Sequence, residues 1–413
     1  MRNRAFAVAL LGLVVVAGVA TGMVLAGTDA AASTHERNVS VPVAPFDFHS
    51  SERLAIDPDA SRSIGQMSVD PIVATSIEFT RLASEYEANR AQQRIAAGDT
   101  GSEQVEAASE ELDRLQAELD ELYATEAAAQ EAVSAGEMDA RTFAYRATQM
   151  HTTAAAIETR ANGLWTGLGT IRAADNQSEV NVMRGQLRQL DMDAETFRGA
   201  ASGSVAARIA GDPSVPGYVR VASNEDGYEF ATVTDDTYER QAFIAQNRDR
   251  ETAERFDSSE EALAVSSELY PWIWEESIGA ESDMSGELFW NSVQHPHGVT
   301  VTYFDGSTKL PFRESLALNL VNVPTVEAAS ESVAGAEISV DRTYVGGPAT
   351  VSVVEVETGS GVDEATVVID DTVSIETGSD GQATFIAPGP EFDVNVRTDN
   401  ADTNLSVTVP IER

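Results

Sequence analysis

His295-Pro296-His297 is the one close imidazole pair in the chain. On an extended segment residues two apart face the same side, so both rings could reach one metal ion, and a zinc- or iron-dependent hydrolase is the chemistry the pair suggests. The other histidines, His35, His49 and His151, belong to no ligand-spaced motif. A turn entering a strand explains the same three residues without metal, so no metal and no other cofactor is assigned.

Paired carboxylates at Glu260-Glu261, Glu275-Glu276 and Asp191-Met192-Asp193 have the composition that acid–base work needs. In a chain with 67 acidic residues such pairs arise by chance, and the expectation for them is a solvated acidic face. The sequence has no Gly-x-Ser-x-Gly elbow, no phosphate-cradling glycine loop with lysine and no dinucleotide fingerprint. It also has no cysteine, which removes disulfides, thiolate metal sites and cysteine nucleophiles.

Tyr270, Trp272 and Trp274, with Phe289 and Trp290 close behind, hold three of the four tryptophans. Residues two apart on a helix point about 200° apart, so Trp272 and Trp274 are not expected to share one core. Trp272, Trp274 and Trp290 are therefore candidates for a platform that binds a glycan or a protein partner, against the alternative of packing between a helix and a sheet. Asn38, Asn176 and Asn404 head Asn-x-Ser sequons and are glycosylation candidates in an exported chain.

The charge balance says where such chemistry would operate. Against 67 Asp and Glu stand 27 Lys and Arg, of which Lys309 is the only lysine, for a net charge of −40. Dense carboxylate with almost no ammonium repels itself until molar salt screens it, which reads as the protein of an extreme halophile. Nucleic acid is excluded as a partner, because it is bound by clustered cations that the chain lacks.

The elements that position these residues follow in order. Arg2 and Arg4 precede an uncharged run from Ala5 to Gly27, and Ala30-Ala31-Ala32 offers a cleavage pattern. Residues 1–32 are read as a signal peptide or a signal-anchor transmembrane helix, both outcomes open, which places the rest outside the cytoplasm. Residues 33–70, broken by Pro42, Pro45 and Pro58, read as a stalk.

Over 71–210 the apolar residues step by three and four. Val105, Ala108, Leu112, Leu115, Leu119, Leu122, Ala129 and Val133 form a heptad seam interrupted only by Glu126, and Phe143 to Leu168 repeats it. Ile72, Phe79, Leu82 and Tyr86 carry a weaker version. Short glycine-containing connections predict an antiparallel bundle of three helices with a shorter fourth near Val180 to Leu190, and self-association through the seam is the alternative to packing within the chain.

Residues 214–323 alternate as strands around a helix that opens at the Ser258/Glu261 capping box, giving a small α+β domain with an antiparallel sheet. A linker at 324–336 leads to short Val- and Thr-rich strands over 337–413, the layout of a β-sandwich.

Within that last part, Gly361 to Ile369, the turn Thr377-Gly378-Ser379-Asp380-Gly381 and the strand Phe392-Asp393-Val394-Asn395-Val396 resemble carboxypeptidase-regulatory-like, prealbumin-like β-sandwich modules. The resemblance implies a structural or adhesive appendage and transfers no catalytic residue. The order of leader, stalk, bundle, Leu269-Tyr270-Pro271-Trp272 segment and sandwich resembles uncharacterised haloarchaeal exported proteins known as domains of unknown function.

The expectation is a non-enzymatic surface protein, secreted or tethered by its N-terminus, with a structural or partner-binding role. The competing expectations are a metal-dependent hydrolase near His295 and His297, and a ligand- or glycan-binding ectodomain built on a cleft between Trp272 and Trp290.

Overall fold

A computed structural model describes residues 43–44, 52–56, 60–171, 176–212, 218–234, 236–252, 254–333, 335–398 and 402–408, with backbone alone for the first and last of these spans. The leader, Asn38, His35 and His49 lie outside them. Among the described residues no helix is long and apolar enough to cross a membrane.

Five helices form the first layer: α1 (Pro71–Ala96), α2 (Gly101–Ser134), α3 (Ala140–Leu168), α4 (Gln177–Glu195) and α5 (Ala200–Ile209). Each of the first three starts at a side-chain cap. Asp70 accepts from the N–H groups of Ile72 and Val73, Thr100 and Glu103 form a capping box, and Asp139 accepts from Thr142. The two heptad seams bury against each other inside the chain, with Leu112, Leu115, Leu119 and Leu122 meeting Phe143, Met150, Ile157 and Leu164 in one core. Helix α1 runs alongside α3 through small residues. A Cβ on Gly163 would lie 2.8 Å from the Ala88 Cβ, so only glycine permits that approach.

The second layer is an eight-stranded antiparallel sheet made of β3 (Ser61–Gln66), β4 (Tyr218–Ser223), β5 (Gly227–Val233), β6 (Thr237–Ile244), β7 (Gly279–Ser285), β8 (Leu288–His295), β9 (Gly298–Asp305) and β10 (Pro311–Asn319). Their order is β3-β4-β5-β6-β10-β9-β8-β7. Strand alternation sends Val219, Val221, Tyr228, Phe230 and Phe243 into the helical core, while Tyr218, Ala231, Val233 and Tyr238 point to the other face. The bundle and the sheet thus share one core, where the sequence reading assigned them to separate domains.

The far face has two covers. One is a helix pair, α6 (Ser259–Leu269) and α7 (Pro271–Glu275), which packs Phe256, Tyr270 and Ile273 on Phe289, Val293 and Phe304. The break falls at Tyr270, because Pro271 has no N–H to continue the ladder. The other is the sandwich, with sheets β11 (Val326–Val333), β12 (Ala336–Arg342), β13 (Pro348–Glu355), β16 (Gln382–Ile386) and β15 (Val373–Glu376), β14 (Thr366–Ile369), β17 (Glu391–Arg397), β18 (Asp402–Thr408), each in the order given.

Two segments differ from expectation. Part of the supposed stalk belongs to the fold, since β3 pairs with β4 and a ribbon of β1 (Val43–Ala44) and β2 (Arg53–Leu54) places a fully buried Leu54 behind the sheet. The supposed linker is largely strand β11, paired along its length with β12. Its Ala, Ser and Glu side chains suit an exposed edge strand and give no alternation to read.

Candidate functional site

His295 ends β8, and His297 follows in the turn to β9. Helix α7 is held over them by Glu52, whose carboxylate accepts the N–H groups of Trp272 (2.7 Å) and Ile273 (3.1 Å). Trp272 consequently packs on both imidazoles, with ring centroids 5.5 Å from His295 and 4.7 Å from His297. His295 Nε2 lies 3.0 Å from Thr300 Oγ1. Burial, reinforced by His297, pulls His295 down to about 4, and burial also lowers His297, so both rings are neutral at pH 7. Among the described residues no group of three or more His, Asp or Glu is arranged to hold a metal ion. The pair is brought together, but into an aromatic stack.

The tryptophans do not converge. Odd-numbered residues of β8 face α6 and α7, and even-numbered ones face the bundle, so Trp272 and Trp274 lie on one side of the sheet and Trp290 on the other. The cleft expected between Trp272 and Trp290 does not form, because the sheet itself separates them. Trp272 and Trp274 still both pack, since α7 is a single turn lodged between the histidine hairpin and α6, where Trp274 Nε1 donates to Ser266 Oγ at 3.0 Å.

On its bundle side Trp290 borders an open cleft of about 470 Å³ between strands β7 to β10 and the α4–α5 connection. Tyr303 and Ser315 line its floor, and Glu195 and Arg198 its helical wall. Arg198 pairs with Glu158 on α3. Burial, with nearby Asp191 and Glu195, outweighs that pairing and pushes Glu158 up to about 7. The cleft therefore offers an aromatic edge, hydroxyls and charges of both signs to a small polar ligand.

The acidic pairs part company. Glu261 accepts from the N–H of Asp257 and its own N–H donates to Ser258, so Glu260-Glu261 forms the capped start of α6, while Glu275-Glu276 is exposed. Asp193 corrects the reading of a solvated face. It is buried, accepts from Tyr123 Oη at 2.8 Å and pairs with Arg248 at 3.2 Å, because α4 turns it toward the sheet. Of the sequons, Asn176 sits at the start of α4 with its amide 3.2 Å from Glu179, and Asn404 lies in β18 opposite Asn395.

Buried charge clusters escaped the sequence reading, and three of those among the described residues lie at the sheet. Glu126 of α2 receives Tyr228 Oη (2.7 Å) and Arg313 Nη2 (2.8 Å) from the sheet. Arg248 joins Asp193 of α4 to Asp305 of β9. Behind the sheet Arg240 bridges Glu229 (2.5 Å) and Glu314 (2.8 Å) and also donates to the Leu54 carbonyl, and Tyr270 Oη completes Glu314 at 3.0 Å. Burial would raise Glu229, but Arg240 and Arg220 outweigh it and hold its carboxyl below the ordinary range. One signal was available: the interruption of the seam at Glu126 is the residue that faces the arginine.

Comparison with known families assigns the three parts. Residues 1–214, just over half of the 413, match the domain of unknown function DUF7096. The chain belongs to that family. Residues 219–324 match a second family of unknown function, DUF7094, and residues 327–405 match the archaeal fibronectin-III type-like domain. The last match agrees with the sandwich and replaces the prealbumin-like resemblance. Asp-Gly turns and Val-x-Val strands serve any small antiparallel sandwich, so they carry the architecture and not the family. No curated protein and no solved structure matches the chain.

Proposed function

We propose that this is a non-enzymatic protein of a halophile's exterior, secreted or tethered through its N-terminus, with a structural or partner-binding role. The observation that carries the reading is the use made of the buried charges. Arg248 and Arg313 join the sheet to the bundle at Asp193 and Glu126, and Arg240 joins neighbouring strands of the sheet to the β1–β2 ribbon, so these charges act as joints within the fold. The acidic surface and the apolar leader support the extracytoplasmic setting. Fractionation with protease shaving of intact cells, followed by pull-down in molar salt, tests it: the chain should be cleaved from outside and should retain a partner. A chain protected in intact cells, or one that captures nothing, counts against the reading.

The cleft beside Trp290 favours a second reading, a ligand- or glycan-binding ectodomain. Titration with soluble oligosaccharides should then perturb tryptophan emission, and Trp290→Phe should abolish the response while Trp272→Phe keeps it. Emission unchanged by any oligosaccharide removes this reading.

A further inference from the structure

Helix α1 has two apolar faces, and only one is covered. Ser84, Ala88, Ala91 and Ile95 are buried against the bundle. At about 100° per residue, Ile72, Phe79, Leu82 and Tyr86 fall on the opposite side of the same helix. Their exposed fractions are 83, 72, 55 and 64 %, which makes them the largest group of exposed big apolar side chains on any one element described. Residues 72, 79 and 86 are seven apart, and 82 lies three beyond 79, so the stripe has the a/d spacing of a coiled-coil seam. The strong seams of α2 and α3 close within the chain, whereas this weak one closes on nothing described.

We propose that the stripe is the dimerisation seam of the protein, closed by α1 of a second copy running parallel to the first. The inference deepens the partner-binding reading by naming a partner. Three observations select that occupant. Weighted by their exposure, the four side chains present on the order of 500 Å² on one copy. A symmetric pair would then cover about 1,000 Å², the lower bound of a specific interface. In the heptad set by Ile72 and Phe79, Glu85 falls at g and Arg90 at the following e, the spacing at which parallel strands exchange an interhelical ion pair. Both now make only exposed contacts along their own helix, Glu85 with Arg81 at 2.7 Å and Arg90 with Glu87 at 3.4 Å, and such contacts are given up at little cost. Finally, the remaining d positions of the seam, Thr75 and Asn89, and Ser76 at e are short and polar, which leaves room for a second helix to approach. A net charge of −40 on each copy opposes pairing, but in molar salt the screening length falls to about 3 Å and the apolar contact prevails.

The absence of cysteine makes the test direct. Phe79→Cys, Leu82→Cys and Tyr86→Cys, each in the full chain, are oxidised in intact cells at molar salt, with Val182→Cys and Val356→Cys as equally exposed controls. A parallel seam brings each stripe position against its own copy within disulfide reach. Linked dimer should then exceed the controls roughly tenfold at all three positions, because the thiols are held at high effective concentration. Adding Arg90→Glu should lower the yield, and adding Glu85→Arg as well should restore it. Phe79→Glu, a change at an exposed position, should shift the chain from dimer to monomer in sedimentation while its circular dichroism stays that of the folded parent. Linking no greater than the controls, or linking at one stripe position alone as an antiparallel crossing gives, overturns the proposal. If a pull-down still retains a different protein in that case, the partner-binding reading survives without the dimer.

Discussion

The two junctions of the sheet, one with the bundle and one with the sandwich, are built from different bonds. Toward the bundle, full charges cross: Arg313 meets Glu126, and Arg248 meets Asp193. Toward the sandwich, neutral or single-ended donors meet backbone carbonyls. Tyr218 Oη donates to Ile386 (3.0 Å), Tyr238 Oη to Gly346 (2.7 Å) and Arg220 Nε to Pro388 (3.2 Å). A carbonyl reached by a hydroxyl accepts any sandwich that presents its backbone there, whereas a buried carboxylate facing an arginine demands one partner at one register. Both junctions rest on a shared apolar core, but only the first adds buried ion pairs to it.

The largest expected effect breaks the charged junction. Arg313→Met leaves Glu126 buried without its cation, and removal of one member of a buried pair costs about 3–5 kcal/mol. The double variant Glu126→Leu/Arg313→Met should recover part of that loss, since an apolar pair of similar volume is often neutral but here leaves the buried Tyr228 hydroxyl without its acceptor. Thermal unfolding in molar salt measures both. A double variant as unstable as the single one would mean that packing around Arg313, stacked on Phe197 and Phe243, outweighs the ion pair.

The neutral junction should respond less and more locally. Tyr238→Phe leaves the Gly346 carbonyl buried without its donor, at a cost of about 1–3 kcal/mol. The loss should appear as faster amide exchange within residues 326–398, with the bundle unaffected. Exchange rising equally in α2 and α3 would show that the sandwich is not a separable module.

The same contrast explains what was legible. Strand alternation at Tyr228, Phe230 and Thr232, the Ser258 cap of α6 and the seams of α2 and α3 are local patterns, and local rules decide them; of the expected capping box only the Ser258 half forms, since Glu261 reaches the Asp257 N–H instead. Strand β7, Gly-Ala-Glu-Ser-Asp-Met-Ser, carries no alternation because it is an exposed edge, so only its pairing with β8 reveals it. The charged joints were invisible for another reason. In a chain this acidic a buried Glu126 or Asp193 looks like any other carboxylate until the arginine opposite is known, and that arginine lies 187 residues away for Glu126. The tryptophans failed through parity: whether Trp290 shares a side with Trp272 depends on the β8 register, which spacing between the two cannot supply.

The smallest effect sharpens the comparison, because it asks whether every charge on the bundle side is a joint. Glu158 pairs with Arg198 of the α4–α5 connection, yet burial still holds its carboxyl up to about 7. The folded chain therefore keeps a proton there that the unfolded chain, with an ordinary value of 4.5, has already released. Between those values the folded state binds more protons, so this group's contribution is complete below pH 4.5 and is lost as pH rises toward 7. The shift, in which the Arg198 contact is already included, sets an upper bound of about 3 kcal/mol. Glu158→Gln should be indistinguishable from the parent chain near pH 4.5 and more stable at and above pH 7. His151, which burial and Arg198 lower to about 4, destabilises both chains alike toward acid and cancels in the difference. A Gln variant less stable than the parent at pH 7 would make Glu158 a joint of the same kind as Glu126.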